Sequence, residues 1–182
     1  MEASIIQRDY IDGEIGESLL KNRIIMIAEE VSPSLAKTVI AKLLYLEAKS
    51  SDPINIYISS PGGDVPAGLS IIDAMHLCKC KVNTYAIGDC DSMGFMILAC
   101  ATGKRRIYPH AFTMYHEVWS MSMGHTTTLK TEMKHTEALQ NVLFDLILKH
   151  TKLTREDLEK GPVDTWLTAE ESVKYGIVDE IL

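Results

Sequence analysis

The chain has 182 residues, of which 46% are hydrophobic and 24% charged, as in ordinary soluble globular proteins. That length is enough for one domain with a sizeable core. The formal net charge of −7 argues against nucleic acid or an anionic membrane surface as the main partner. The apolar runs are too short to span a bilayer, and residues 1–10 lack the apolar core of a signal peptide.

The spacing of the four cysteines is not that of a zinc ribbon. Cys78 and Cys80 lie close to His76 and suggest a metal site, but the two-residue loop of usual zinc pairs is missing between them. Reduced, mostly buried thiols in a cytoplasmic protein are the favoured interpretation. We therefore expect no metal site and no cofactor.

The first 18 residues are polar and predict an N-terminal arm or terminal loop. From Leu19 onward, short apolar runs typical of buried strands alternate with helical stretches. Ser32 and Asp64 are good N-caps for two of these helices. The first three predicted strands are residues 23–27, 54–59 and 81–88. This alternation indicates βαβ units around a mainly parallel sheet.

The tetrapeptide Asp91-Ser92-Met93-Gly94 begins an apolar helix directly after the third predicted strand. A small hydroxyl residue with glycine two positions later, at a strand-to-helix turn, is how proteins present a nucleophile. The turn exposes the oxygen, the helix N-terminus favours developing negative charge, and Gly94 removes a side chain that would block close approach. The alternative is that Ser92 and Asp91 are simply N-caps.

Residues 105–108 and 112–118 form the next two predicted strands. Period-two alternation places His116 on one face with Met114 and Val118, where core side chains point. A core histidine with satisfied hydrogen bonds is therefore an open alternative to a functional one.

A long helix is predicted over residues 129–150. Near its C-terminal half it is apolar on more than one side, so it is either deep core or an oligomer contact. A loop through Asp164 follows. A capping box at Thr168 then begins a short helix, and residues 177–182 predict a last strand.

Ser92, His116 and Asp164 each lie at the edge of a predicted element. Together they would form an acyl-transfer site, in which Ser92 attacks a carbonyl and His116 takes its proton. Asp164 would hold the imidazole and stabilise the imidazolium. The order Ser, His, Asp differs from the Ser, acid, His order of α/β-hydrolases, which disfavours the common esterase site.

A tetrahedral intermediate also needs hydrogen-bond donors for its oxyanion. The amide of Met93 is one candidate, and a glycine amide of the Pro61-Gly62-Gly63 turn is the second, because glycine lets the backbone approach a substrate. By itself, this turn sequence also fits a plain tight turn.

Several separated motifs occur in a recognisable order. They are LLKNRIIMI at residues 19–27, YISSPGGDVPAGLSIIDAM at 57–75, the Ser92 turn, the strand ending in His116, and LTAEESVKYGIVDEIL at 167–182. Together they resemble the ClpP family, the proteolytic subunits of Clp proteases. The similarity runs from about Leu19 to the end of the chain.

This resemblance implies an α/β fold of the crotonase/ClpP type, with a single domain over residues 19–182 and a protruding helix-strand handle at about 117–151. It implies a homo-oligomer of two stacked seven-membered rings around a chamber. An AAA+ unfoldase of the Clp type would feed that chamber with unfolded polypeptide, and only this partner would use ATP.

The resemblance also implies a role for each site residue. Ser92, His116 and Asp164 would be the catalytic triad, and Gly63 and Met93 would donate to the oxyanion. The predicted function is that of a self-compartmentalised serine endopeptidase in the cytoplasm.

Three departures from the family pattern affect specificity and assembly. Glu117-Val118 follows the histidine where the family usually has Gln-Pro, and residues 119–124 are bulkier than the usual Gly-rich, substrate-aligning strand. Pro162-Val163 stands where the family carries an acidic residue and an arginine that link the rings. We expect cleavage preference and ring contacts to differ accordingly.

Two rival functions remain. One is a catalytically silent ClpP-like ring subunit that assembles with an active paralogue, although all three triad positions are filled. The other is a crotonase-fold enzyme acting on acyl-CoA thioesters, in which paired backbone amides hold an enolate and no serine nucleophile is needed.

Overall fold

The structure is a computed structural model that describes residues 13–160 and 164–182. In chain order its elements are α1 (Glu14–Lys21), β1 (Ile24–Ile27), α2 (Pro33–Lys49), β2 (Ile54–Ser60), α3 (Val65–Leu77), β3 (Val82–Asp91), α4 (Met93–Ala99), β4 (Arg105–Ile107), β5 (Thr113–His116), α5 (Thr126–His150), α6 (Arg155–Lys160), β6 (Asp164–Leu167), α7 (Ala169–Lys174) and β7 (Glu180–Ile181).

Over the described ranges, seven strands form one mostly parallel sheet. Five of them follow the order β1-β2-β3-β4-β7 with parallel pairing throughout. β5 pairs in parallel with the end of β3, and β6 pairs antiparallel to β5. The α/β fold class that the sequence predicts is confirmed.

The central strands are held by apolar burial. Along β2, buried and half-buried side chains alternate, and Ile54, Ile56 and Ile58 are fully buried. Each such side chain contributes about 1.5–3 kcal/mol when it is removed from water. The two helices that flank β2 begin where the sequence places their N-caps, because Ser32 accepts a hydrogen bond from the amide of Leu35 and Asp64 accepts one from Ala67.

A helix occupies part of the segment for which the sequence predicts an arm or terminal loop. α1 begins at Glu14, and its acidic first turn and the Lys21 in its last turn complement the helix dipole. An ion pair of 3.7 Å between Lys21 and Glu17, one helical turn apart, also stabilises α1. The rest of the predicted arm, residues 1–12, lies outside the described residues.

The long helix α5 starts at Thr126, slightly before its predicted start. Its buried side chains are Leu143, Phe144 and Ile147, all in the last third, so the remainder of the helix is not core of its own chain. None of the helices in the described ranges is long and apolar enough to cross a membrane.

Smaller differences concern the strands near the predicted site. β3 extends to Asp91, so the strand reaches the Ser92 turn without an intervening loop. β5 covers only Thr113–His116 of the predicted 112–118. Asp164 lies in a strand rather than in the predicted loop, because β6 pairs with β5 from that residue onward.

Candidate active site

The carboxyl ends of β2 and β3 meet at the candidate site, with Ser60 paired to Cys90. The turn after β2 lies against the start of α4. A Cβ atom on Gly62, whose φ is +87°, would lie 2.5 Å from Cβ of Ser92 and 2.9 Å from the amide nitrogen of Met93. Only glycine permits this approach, so the turn does more than reverse the chain.

Ser92 adopts a backbone conformation that is rare for a residue with a side chain. Its φ is 52° and its ψ is −115°, and such strain costs on the order of 1–3 kcal/mol. Two hydrogen bonds hold it: its amide donates to the carbonyl of Met114 at 2.8 Å, and its carbonyl accepts from Met96 at 3.1 Å. The side chain makes no capping hydrogen bond, which contradicts the alternative that Ser92 serves only as an N-cap.

Close packing between α4 and β2 requires glycine at position 94. A Cβ atom there would lie 2.9 Å from the carbonyl oxygen of Ser60. Glycine at this position therefore lets α4 pack closely against the end of β2, and this packing fixes where Ser92 sits relative to the turn.

The two predicted oxyanion donors differ from their neighbours in hydrogen bonding. The amide of Gly62 donates to Oγ of Ser60 at 3.2 Å, and the amide of Asp64 donates to the carbonyl of Val31 at 2.8 Å. For the amides of Gly63 and Met93, the described residues offer no hydrogen-bond acceptor. Gly63 is thus the glycine of this turn whose amide is available to a ligand.

His116 and Asp164 face each other across two strands. They are registered partners in the antiparallel pair β5–β6, so their Cβ atoms are about 4.5–5.5 Å apart on one face of the sheet. His116 is half-buried and Asp164 is exposed, which makes a fully buried core histidine the wrong interpretation. The Ser92 amide binds the same strand at Met114, so β5 connects all three residues.

Two other carboxylates near the end of the chain are already engaged. Asp157 accepts hydrogen bonds from the hydroxyl and amide of Thr154, at 2.6 and 2.7 Å, which lower the pKa of its carboxyl. Asp179 accepts hydrogen bonds from the backbone and guanidinium of Arg105, at 2.8 and 2.7 Å. Among these three acids, Asp164 is the one that the structure places beside His116.

Asp91 precedes Ser92 directly and is an acid that the sequence indicates only as a possible cap. Its side chain is 8% exposed, and its Oδ1 has no hydrogen-bond partner among the described residues. Burial and the charge of Asp89 raise the pKa of this carboxyl to about 6, while the nearby His116 lowers it. In the sequence, the feature that could have indicated its burial is its position between the apolar Cys90 and the Ser92 turn.

No three histidine, cysteine or acidic side chains in the described ranges are grouped so that they could hold a metal ion. His76 contacts the carbonyl of Cys100 at 2.9 Å, and the thiol of Cys80 contacts the carbonyl of Ser50 at 3.2 Å. All four cysteines are free thiols.

The family model described as Clp protease matches residues 8–182 of this chain. The chain belongs to the Clp protease family. The resemblance that the sequence motifs indicate is thereby confirmed, and the match extends further toward the N-terminus than those motifs do. Membership places the chain among ClpP-like peptidases.

The buried Asp91 should make the stability of this Clp protease family member depend on pH. Its pKa is raised from 3.8 to about 6, so the folded chain holds this proton more tightly than the unfolded chain does. Ionisation of Asp91 then costs up to about 3 kcal/mol of folding free energy above about pH 6, and this cost disappears as the pH falls below about 4.

Asp91→Asn should consequently stabilise the protein more at about pH 8 than at about pH 4, because only the charged form is penalised. Urea unfolding at both values measures the difference, and the exposed Asp73→Asn is the control. Equal effects of Asp91→Asn at the two pH values would contradict the destabilising charge.

Proposed function

We propose that this chain is a serine endopeptidase in which Ser92 is the nucleophile, His116 the general base and Asp164 the carboxylate that orients it. One observation carries the proposal. The strained Ser92 turn is hydrogen bonded to β5, the strand on which His116 lies directly opposite Asp164. Membership of the Clp protease family supports the same reaction class.

In the first step, Oγ of Ser92 bonds to the carbonyl carbon of the scissile peptide, and its proton passes to the imidazole of His116. Asp164 stabilises the imidazolium. The amides of Met93 and Gly63 donate to the carbonyl oxygen as it becomes negative. His116 then gives the proton to the leaving amine, the C–N bond breaks, and an acyl group remains on Ser92.

In the second step, water replaces the amine. His116 takes one proton from the water, whose oxygen attacks the acyl carbon, and returns the proton to Oγ of Ser92 as the acid product leaves. The reaction needs no cofactor and no ATP. We propose that ATP is used only by an unfoldase of the Clp type that delivers unfolded polypeptide.

We further propose that the chain works as a homo-oligomer of two stacked seven-membered rings. The family implies a ring oligomer that works with Clp ATPases. Large exposed apolar side chains support an interface between copies of the chain: Trp119 and Met123, between β5 and α5, are 77% and 96% exposed, and Met133 on α5 is also exposed. A patch of this kind marks a surface that a partner covers.

In this proposal, residues 117–151 form the handle through which the rings meet. Pro162 and Val163, the residues at which the family's ring-linking pair would stand, lie outside the described residues. The free thiols of all four cysteines fit a reducing compartment such as the cytoplasm.

Ser92→Ala should abolish hydrolysis of a short fluorogenic peptide and leave the oligomer intact. Loss of a triad nucleophile costs on the order of 10³-fold or more in rate, whereas the Ser92 side chain makes no capping bond that the fold would lose. Peptide turnover and sedimentation velocity measure the two effects.

The control is Ser34→Ala, which removes an exposed hydroxyl from α2. Equal turnover by Ser92→Ala and wild type would refute the proposal.

Asp164→Asn should lower the rate by about 10⁴-fold, by analogy with the loss of the aspartate from a serine protease triad. Asp157→Asn should change the rate little, because Asp157 is engaged with Thr154 in the turn that starts α6. Parallel measurements of kcat on the same peptide compare the two variants. A larger loss for Asp157→Asn would show that the orienting acid is misassigned.

A further inference from the structure

The strand that carries His116 lies between two strands that each contribute a carboxylate. β5 pairs with β6 on one side and with β3 on the other. Asp164 begins β6 and is registered with His116, and Asp91 ends β3 and is registered with Met114, two residues before His116. Registered partners, and residues two apart on a strand, point to the same face of a sheet. Asp91, His116 and Asp164 therefore share one face.

The separation of Asp91 and His116 is short enough for their side chains to interact. Neighbouring strands are about 4.8 Å apart and a strand advances about 3.3 Å per residue, so the two Cα atoms are about 8 Å apart. Both side chains extend from the same face, and a diagonal spacing of about this size is still within reach of long side chains. The influence of His116 on the pKa of the Asp91 carboxyl agrees with that proximity.

Among the described residues, no hydrogen bond or ion pair compensates the buried carboxylate of Asp91. Asp91 is buried, and its Oδ1 accepts no hydrogen bond from the described residues. The charged and titratable groups that act on it are Asp89, which repels it, His116, which attracts it, and the thiol of Cys90. Of these three, His116 is the group that can become positive and compensate the buried charge.

We infer that Asp91 acts through His116 as a second carboxylate, which stabilises the imidazolium formed when Ser92 gives up its proton. This inference rests on the proposed function. Asp91 is a positioning residue in this scheme, since it acts through the imidazole of His116. Asp164 is exposed whereas Asp91 is buried, and water screens a buried charge least.

The test compares Asp91→Asn with wild type in the full-length oligomer. Asparagine keeps the size of the side chain and removes its charge. Asp89→Asn is the matched control, because Asp89 is an exposed acid two residues earlier on the same strand. The measurement is kcat/KM for an uncharged fluorogenic peptide as a function of pH.

We expect Asp91→Asn to lower the plateau of kcat/KM about three- to tenfold, because the imidazolium loses a stabilising charge. We also expect the acid limb of the profile to move toward lower pH, because a neighbouring carboxylate favours the charged form of an imidazole. The control should change the plateau by less than about twofold, since solvent screens exposed charges. A profile of Asp91→Asn that superimposes on wild type would overturn the inference.

A second measurement does not require activity. In the Ser92→Ala background, NMR titration of labelled histidine should show the His116 imidazolium forming at lower pH on Asp91→Asn, because a neighbouring carboxylate favours the charged imidazole. An unchanged titration would overturn the inference even if the rate changes, since the rate loss would then be structural. If Ser92→Ala hydrolyses the peptide as fast as wild type, it is instead the proposed function that fails.

Discussion

The candidate site depends on one close approach, in which the end of β2 and the turn that follows it pack against the start of α4. Two glycines make this close approach possible, because a side chain at either position would collide with the backbone opposite. Gly94 lets the α4 backbone lie against the carbonyl of Ser60, and Gly62 lets the turn lie against Ser92 and the amide of Met93. Because these contacts are between backbones, the position of Ser92 is set by rigid groups and not by flexible side chains.

This arrangement carries energetic costs that the core has to offset. Ser92 holds a strained backbone conformation, and Asp91 buries a carboxyl oxygen without a partner among the described residues. Both features destabilise the fold, and both lie at the point where β3 becomes α4, a helix whose residues are all buried. Strain and buried charge concentrated beside a candidate nucleophile are the pattern expected where stability is traded for chemistry.

Much of the fold could be predicted from the sequence because local signals and global packing agree. β1, β2 and α2 follow from apolar runs and from the Ser32-Pro33 start, and the structure has them where the patterns place them. The strand pairing that brings Asp164 beside His116 could not be seen, because β6 has only four residues and its partner lies far away in sequence. Short strands carry too little periodicity to be distinguished from loops.

The residues of the candidate site likewise fall into those that the sequence indicates and those that only the structure reveals. Ser92 and His116 stand out because each lies at the edge of a recognisable element. The residues alone leave Gly62 and Gly63 open as the second amide donor. The family resemblance implies Gly63, and in the structure the Gly62 amide donates to Oγ of Ser60. The burial of Asp91 was beyond sequence reasoning, since the face to which a residue at the end of a strand points depends on its neighbour in the sheet. The roles of Ser92, His116, Asp164, Met93 and Gly63 stay predictions.

The central claim is that Ser92 is a nucleophile activated by His116. Labelling of the intact oligomer with a fluorophosphonate, followed by peptide mapping by mass spectrometry, tests it most directly, because such reagents phosphonylate a serine only when a neighbouring base activates it. The account predicts a single adduct on Oγ of Ser92, and its loss in His116→Ala. An adduct on a different serine, or labelling of Ser92 that is equally fast without His116, would contradict it.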